Sequence, residues 1–370
     1  MALTVWAADP ARVRRGHLRA LACTAVLRDA DVGTFQVDVP ANDDLSARVD
    51  FGWRVVIQDG DQTVLSGEVR QIEGDKQEDT LTLTGESDLR WLMARRLFAD
   101  PSKPWTQQTA EGKYVASGPA ETVIREAVHR NVGEGAVAAR RHPGFVAAAS
   151  QGRGSSVKVN DADKPLLDVL RPLARSGGVT FDAVQEADAR IVFRVRAPQD
   201  RSRSVRFSEQ NGGLVGGTYS IVAPTVTAVL AAGKGTGTYL NRREYVRATS
   251  WGSRDEEYLD QKSTDDDAEI KQAADEMLDE GQEQATANFS AQEVPGLRFG
   301  TDFHLGDTVT VEFGRATVSA PVRQVELSWD GHGRTATLSL GDHESADKQT
   351  PKALKDIKKI VAQMRSREVR

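Results

Sequence analysis

The strongest constraint on the fold is a plan of alternating strands that occurs twice, once near each end of the sequence. In the C-terminal copy, Asp307-Thr-Val-Thr-Val-Glu312 alternates apolar and polar residues and Gly314 breaks it. Thr317-Val318 resumes, Val322-Arg-Gln-Val-Glu326 alternates again, and Thr335-Ala-Thr-Leu-Ser-Leu340 follows the turn Asp330-Gly-His-Gly333. Period-two alternation between glycine-rich turns predicts a half-buried antiparallel meander. The N-terminal copy runs through Arg54-Val-Val-Ile57, the turn Asp59-Gly-Asp61, Val69-Arg-Gln-Ile-Glu73 and Thr80-Leu-Thr-Leu83 to Gly85. The copies are 254 positions apart at Gly52/Gly306, 253 at Val69/Val322 and 256 at Gly85/Gly341, so the slips fall in turns. Val, Thr and Gly recur in all exposed sheets, so pattern alone does not require duplication. Order, spacing and a five-residue near-identity together favour it, and predict two similar small β-barrels bracketing the rest.

Between the copies the period changes. Leu89, Leu92, Met93 and Leu97 fall on one helical face before Asp100-Pro101. Gly118-Pro119 opens a helix carrying Val123, Ile124, Ala127 and Val128 in a segment, 101–156, that otherwise reads as loop. A second helix, Pro165 to Arg175, should end at Gly177-Gly178, with Pro172 predicting a kink or early end. Strands Val179–Val184 and Arg190–Val195 follow, completing a small α+β domain. From Asp255 to Glu280 twelve Asp or Glu face two Lys, and an amphipathic helix with Thr264 as N-cap and a stripe of Ile270, Ala273, Ala274, Met277 and Leu278 is expected there. The domains read as 1–99, 100–200, 201–255, 256–348 and a helix over 349–370.

Chemistry is sparse. The net charge of -6 gives no general pull toward nucleic acid or anionic membrane, and one cysteine, Cys23, excludes a disulfide framework. No apolar run approaches a bilayer span, and the N-terminus does not read as a secretion signal. Gly233-Lys-Gly-Thr-Gly237 invites a phosphate-loop reading, but Gly235 stands where Ser or Thr should follow the lysine, and strand sequence follows where a helix should open. His17, His129, His142, His304, His332 and His343 are scattered, with no helical zinc-site spacing. Asp265-Asp-Asp267 reads as a solvated helix start rather than a cation site. The arginines at 194, 196, 201, 203 and 206 read as a solvated or subunit-contact stripe. Neither a catalytic residue nor a cofactor is expected.

Three stretches resemble the Gp37-like minor tail proteins of siphophages, a baseplate hub or tail-associated class similar in architecture to the hubs of contractile tails. They are Phe299-Gly-Thr-Asp-Phe-His-Leu-Gly-Asp-Thr-Val-Thr-Val311, Gly233-x-Gly-x-Gly237 followed by arginine, and Gly85-Glu-Ser-Asp-Leu89 with Leu92, Arg95 and Arg96. The resemblance spans most of 1–345, weakest over 100–160, and its motifs are turns and strands that name no active site. It implies a β-rich α+β fold and a homotrimer in the virion, at the tail tip, after synthesis in the host cytoplasm. Implied partners are the distal tail protein ring, the tape measure protein and a downstream tip or fibre protein. Two competing functions are a tail-associated cell-wall hydrolase and a carbohydrate-binding receptor reader. One interface is read from spacing: Leu354, Ile357, Val361 and Met364 repeat three, four, three, an a/d seam of about two heptads. That seam is too short to stand alone and needs a partner.

Overall fold

The computed structural model describes residues 3–75, 79–109, 111–249, 251–262, 264, 266–282, 284–313 and 316–341. They form two compact units, the first drawn from Met1–Val215, Ser290–Val309 and Pro321–Leu340, the second from Gly216–Phe289, Thr310–Ala320 and Gly341 onward. The chain opens with β1 (Leu3–Ala8), β2 (Arg14–His17), β3 (Ala22–Arg28), β4 (Asp31–Pro40), β5 (Arg54–Asp59), β6 (Gln62–Asp75), β7 (Thr80–Ser87) and a short α1 (Arg90–Met93). Next come β8 (Tyr114–Pro119), α2 (Ala120–Asn131), β9 (Phe145–Ala147), β10 (Ser156–Asp161), α3 (Leu166–Gly177), β11 (Thr180–Gln185), β12 (Ile191–Arg196) and β13 (Arg206–Ser208). Then follow β14 (Leu214–Val222), β15 (Ala228–Ala232), β16 (Arg242–Val246), β17 (Glu256–Asp260), α4 (Asp267–Glu280) and β18 (Gln284–Gln292). The last strands are β19 (Thr308–Phe313), β20 (Ala316–Asp330) and β21 (Gly333–Gly341).

The repeated plan is visible in the register. Against β7, β6 pairs Val69 with Gly85 and then Gln71 with Thr84, so Arg70 is an extra, unpaired residue. Against β21, β20 pairs Val322 with Leu340 and then Gln324 with Ser339, leaving Arg323 extra. A bulge therefore interrupts both copies at the same residue of Val-Arg-Gln. The register also corrects the alignment by one position, because the counterpart of Gly85 is Leu340 and not Gly341. Gly85 lies opposite Phe35 of β4, and a Cβ there would stand 2.1 Å from the Glu68 carbonyl oxygen and 2.3 Å from Phe35 Cζ. The aromatic ring occupies the place of the missing side chain.

Where the repeat predicts two separate rings of strands, the first unit instead forms one open series, β21-β20-β3-β4-β7-β6-β5-β1-β2. The second copy continues the first through β3, with Val325, Leu327 and Trp329 opposite Leu27, Ala25 and Cys23. All six are buried, so the matched alternation of the two strands lets both place their apolar residues on one covered face.

Residues 101–156 hold more structure than their sequence suggests. β8 and β10 pair over their full length, Tyr114 with Asp161 through Pro119 with Ser156. α2 and α3 bury Val123, Ile124, Val128, Leu166, Leu167 and Leu170 in a core shared with Phe145, Phe181 and Phe193. β11 pairs antiparallel with β12, which takes β9 as a parallel neighbour. α3 runs unbroken past Pro172, because Pro172 and Asp168, whose carbonyl loses its partner, are both exposed to water while the apolar stripe is intact. It ends where Gly178 takes φ 66° and donates its N–H to Ala174 and Arg175. Met93, expected on a buried helical face with Leu92, is exposed, since α1 is a single turn.

In the second unit β15 is central, antiparallel to β16 and parallel to β17. α4 covers one face, where Val229, Ala274 and Leu278 form a small core edged by Tyr245, Leu259 and Met277. Its N-cap is Asp266, whose side chain accepts from the Ala268 N–H at 2.8 Å, and not Thr264, which instead accepts from the Asp266 N–H.

Candidate functional site

The residues singled out in the sequence do not converge. Leu354, Ile357, Val361 and Met364 lie outside the described residues, as do His343 and Asp265. The Cys23 thiol is buried, which pushes its pKa up to about 12, with Asp38 adding to the effect, so it is unreactive. The Gly233 N–H donates to the Asn241 carbonyl and the Lys234 N–H to the Thr264 carbonyl, so these amides are consumed in chain pairing and do not cradle an anion. His17 meets Trp6 edge-on at 3.7 Å, and His304 stands 3.8 Å from Asp307. Among the described residues no three His, Cys, Asp or Glu side chains gather as metal ligands, and no helix is long and apolar enough to cross a membrane.

One buried polar constellation of the first unit is absent from the motif reading. Arg54 begins β5, and its side chain is only 2% exposed. Its Nη2 donates to Asp88 Oδ1 at 2.5 Å and its Nε to Gln185 Oε1 at 2.7 Å. Asp88, 1% exposed, also accepts from Ser66 Oγ at 2.6 Å, and Ser66 Oγ in turn accepts from the Gln185 backbone N–H at 2.7 Å. The network thus ties β5, β6 and the end of β7 to the end of β11, fixing the α+β layer on the sheet. Its residues come from the start of β5, the interior of β6, the residue after β7 and the end of β11, so no local spacing announces it. The available signal was Arg54 itself, a charge at the head of Val55-Val56-Ile57, all of which are fully buried. A buried arginine requires a carboxylate partner elsewhere in the chain.

Arg54 also lines a cavity of about 300 Å³ with Arg12, Arg95, Arg141, His142 and Glu68. Arg54 Nη1 makes no hydrogen bond among the described residues and stands 4.0 Å from Glu68 Oε1, which is shared with Arg90 through its other oxygen at 3.6 Å. His142 stacks obliquely on Trp91 at 4.1 Å, and burial, reinforced by Arg54, Arg12 and Arg95, lowers its pKa to about 3. The imidazole is therefore neutral. Burial followed by repulsion from a neighbouring arginine also lowers the Arg12 and Arg95 pKa values.

The fold is shared with phage tail proteins. One is the 43 kDa tail protein of prophage MuSo2 from Shewanella oneidensis, with 12% identity, 93% of this chain and 99% of that chain covered, and a TM-score of 0.50. Another is the prophage tail protein gp18 from Listeria monocytogenes EGD-e, with 11% identity, 97% and 99% covered, and a TM-score of 0.50. No curated protein matches significantly. At the level of sequence, residues 2–342 match the family described as siphovirus ReqiPepy6 Gp37-like protein, and the chain belongs to that family.

Proposed function

We propose that this protein is a non-catalytic structural component of a phage tail, a baseplate hub whose three copies form a ring at the distal end. The observation that carries the reading is the extent of the family match, residues 2–342, over a fold shared end to end with prophage tail proteins. The repeated meander with its matched bulge supplies a physical reason. Three chains with two similar β modules each present six similar units, which can abut a sixfold tube above while remaining threefold below. The ring joins the tube and the distal tail protein to threefold tip components, and the segment 349–370, through Leu354, Ile357, Val361 and Met364, docks the next component. The test is the mass of the purified protein in solution together with the symmetry of the hub in the assembled particle. A trimer in either setting supports the reading, and a monomer in both refutes it. Truncation after Gln349 separates the docking role: hubs should still form while the distal tip fails to attach.

A further inference from the structure

We propose that the cavity of the first unit lined by Arg12, Arg54, Arg95, Arg141 and His142 is a binding site for a small oxyanion, a phosphate or a carboxylate. The inference is independent of the tail role. Four guanidinium groups line the cavity against a single carboxylate, Glu68, and that carboxylate already serves Arg90. Of the residues that line the cavity, three carry a buried hydrogen-bonding atom without a partner among the described residues: Arg54 Nη1, Trp91 Nε1 and His142 Nδ1. Two of these are obligate donors. A buried donor left unmatched is costly, a charged one most of all, so a ligand rich in acceptors recovers free energy here. A cation is repelled, and a neutral apolar ligand leaves the donors unmatched.

The donors are also held in place. Arg12 Nε donates to the Ala189 carbonyl at 2.9 Å, Arg95 Nε to the Arg140 carbonyl at 3.1 Å and Arg141 Nε to the Ala136 carbonyl at 2.6 Å. Each guanidinium is thus anchored through one edge with a terminal amino group to spare, while Arg54 is locked by Asp88 and Gln185. Preorganised donors of this kind lose little side-chain entropy on binding, and planar guanidinium forks match carboxylate and phosphate oxygens. The volume, about 300 Å³, lies at the low end for small-molecule sites and suits an inorganic anion or short dicarboxylate. Burial first, and repulsion from nearby arginines second, lowers the basicity of His142, Arg12 and Arg95, which accords with a partly desolvated, positively charged lining.

The test titrates the full chain with sodium phosphate and, separately, sodium succinate, against sodium chloride of matched ionic strength, by isothermal calorimetry. Saturable binding of either, at one site per chain, is expected, and which of the two binds defines the anion class. Arg95→Gln and Arg141→Gln leave the buried Arg54–Asp88 pair intact and should each weaken binding about tenfold, the loss of one charge-assisted hydrogen bond. Arg190→Gln, an exposed pair member outside the cavity, should bind as the parent does. NMR of the His142 ring gives a readout that needs no variant: at neutral pH its resonances should shift saturably as the anion is added, because the anion sits against the ring. Failure of both anions to saturate, undiminished affinity in the Arg95→Gln/Arg141→Gln double variant, or His142 ring resonances that the anion leaves unmoved at neutral pH overturns the proposal.

Discussion

Removing the charge of Asp88 should be among the most damaging single changes in the first unit. Asp88→Asn preserves shape and an amide oxygen that can still accept from Arg54, but leaves the guanidinium, 2% exposed, with no carboxylate nearer than Glu68 at 4.0 Å. Breaking a buried pair by deleting one partner costs about 3–5 kcal/mol, because the remaining charge is desolvated without compensation. Arg54→Met strands Asp88 against Ser66 alone and should cost a similar amount. The double variant Arg54→Met/Asp88→Asn buries no charge, so its loss should fall short of the sum of the singles by about 2 kcal/mol or more. Urea unfolding followed by tryptophan fluorescence is the assay, since Trp6, Trp53, Trp91, Trp105 and Trp329 belong to the first unit and Trp251 alone to the second. Single variants that each lose under about 1 kcal/mol, or a double variant that is simply additive, would refute the claim that this pair is buried and coupled.

Acid should weaken the first unit through His142: its folded-state pKa of about 3 lies below the ordinary 6.5, so the unfolded chain takes up the proton first. Stability from this source is untouched above the unfolded value and declines as pH falls from there toward the folded one, by about 2 kcal/mol at pH 5. His142→Gln should remove that part of the slope when urea midpoints at neutral and mildly acid pH are compared. Gly85→Val should destabilise by more than the ~1–3 kcal/mol usual for overpacking, since the Glu68 carbonyl that its Cβ meets is fixed in the sheet, and a melting temperature within a degree or two of the parent's would contradict the register. Asp266→Ala should cost α4 about 1 kcal/mol and raise amide exchange in its first turn, whereas Thr264→Ala should leave that exchange nearly unchanged.

The sequence revealed what is local. Period-two alternation located both meanders, and helical spacing located α2, α3 and α4, because each signal is contained within the element that it describes. The N-cap of α4 was misplaced by two residues, since Thr264, Asp266 and Asp267 are all competent caps and only backbone geometry selects among them. β8 and β10 were hidden for another reason: in Ser156–Asp161 only Val157 and Val159 are buried, and its partner begins some forty residues earlier. The arginine cavity was invisible because its members come from the β1–β2 connection, the start of β5, the turn after α1 and the loop before β9. The single trace of it in the sequence is Arg54 beside three buried apolar residues.

The pairing of β20 with β3 has a kinetic consequence. Trp329 is the partner of Cys23, so roughly 300 residues must leave the ribosome before the outer edge of β3 is covered. At ~5–20 residues per second that interval is on the order of 15–60 s, during which an apolar strand edge stays open to any neighbouring chain. Nascent copies translated from one message would share that vulnerability at close range. Synthesis therefore favours conditions in which a chaperone guards the N-terminal sheet until its last strands arrive, and slowing translation should lower the soluble yield of this protein more than that of a chain whose sheet is closed by sequence neighbours.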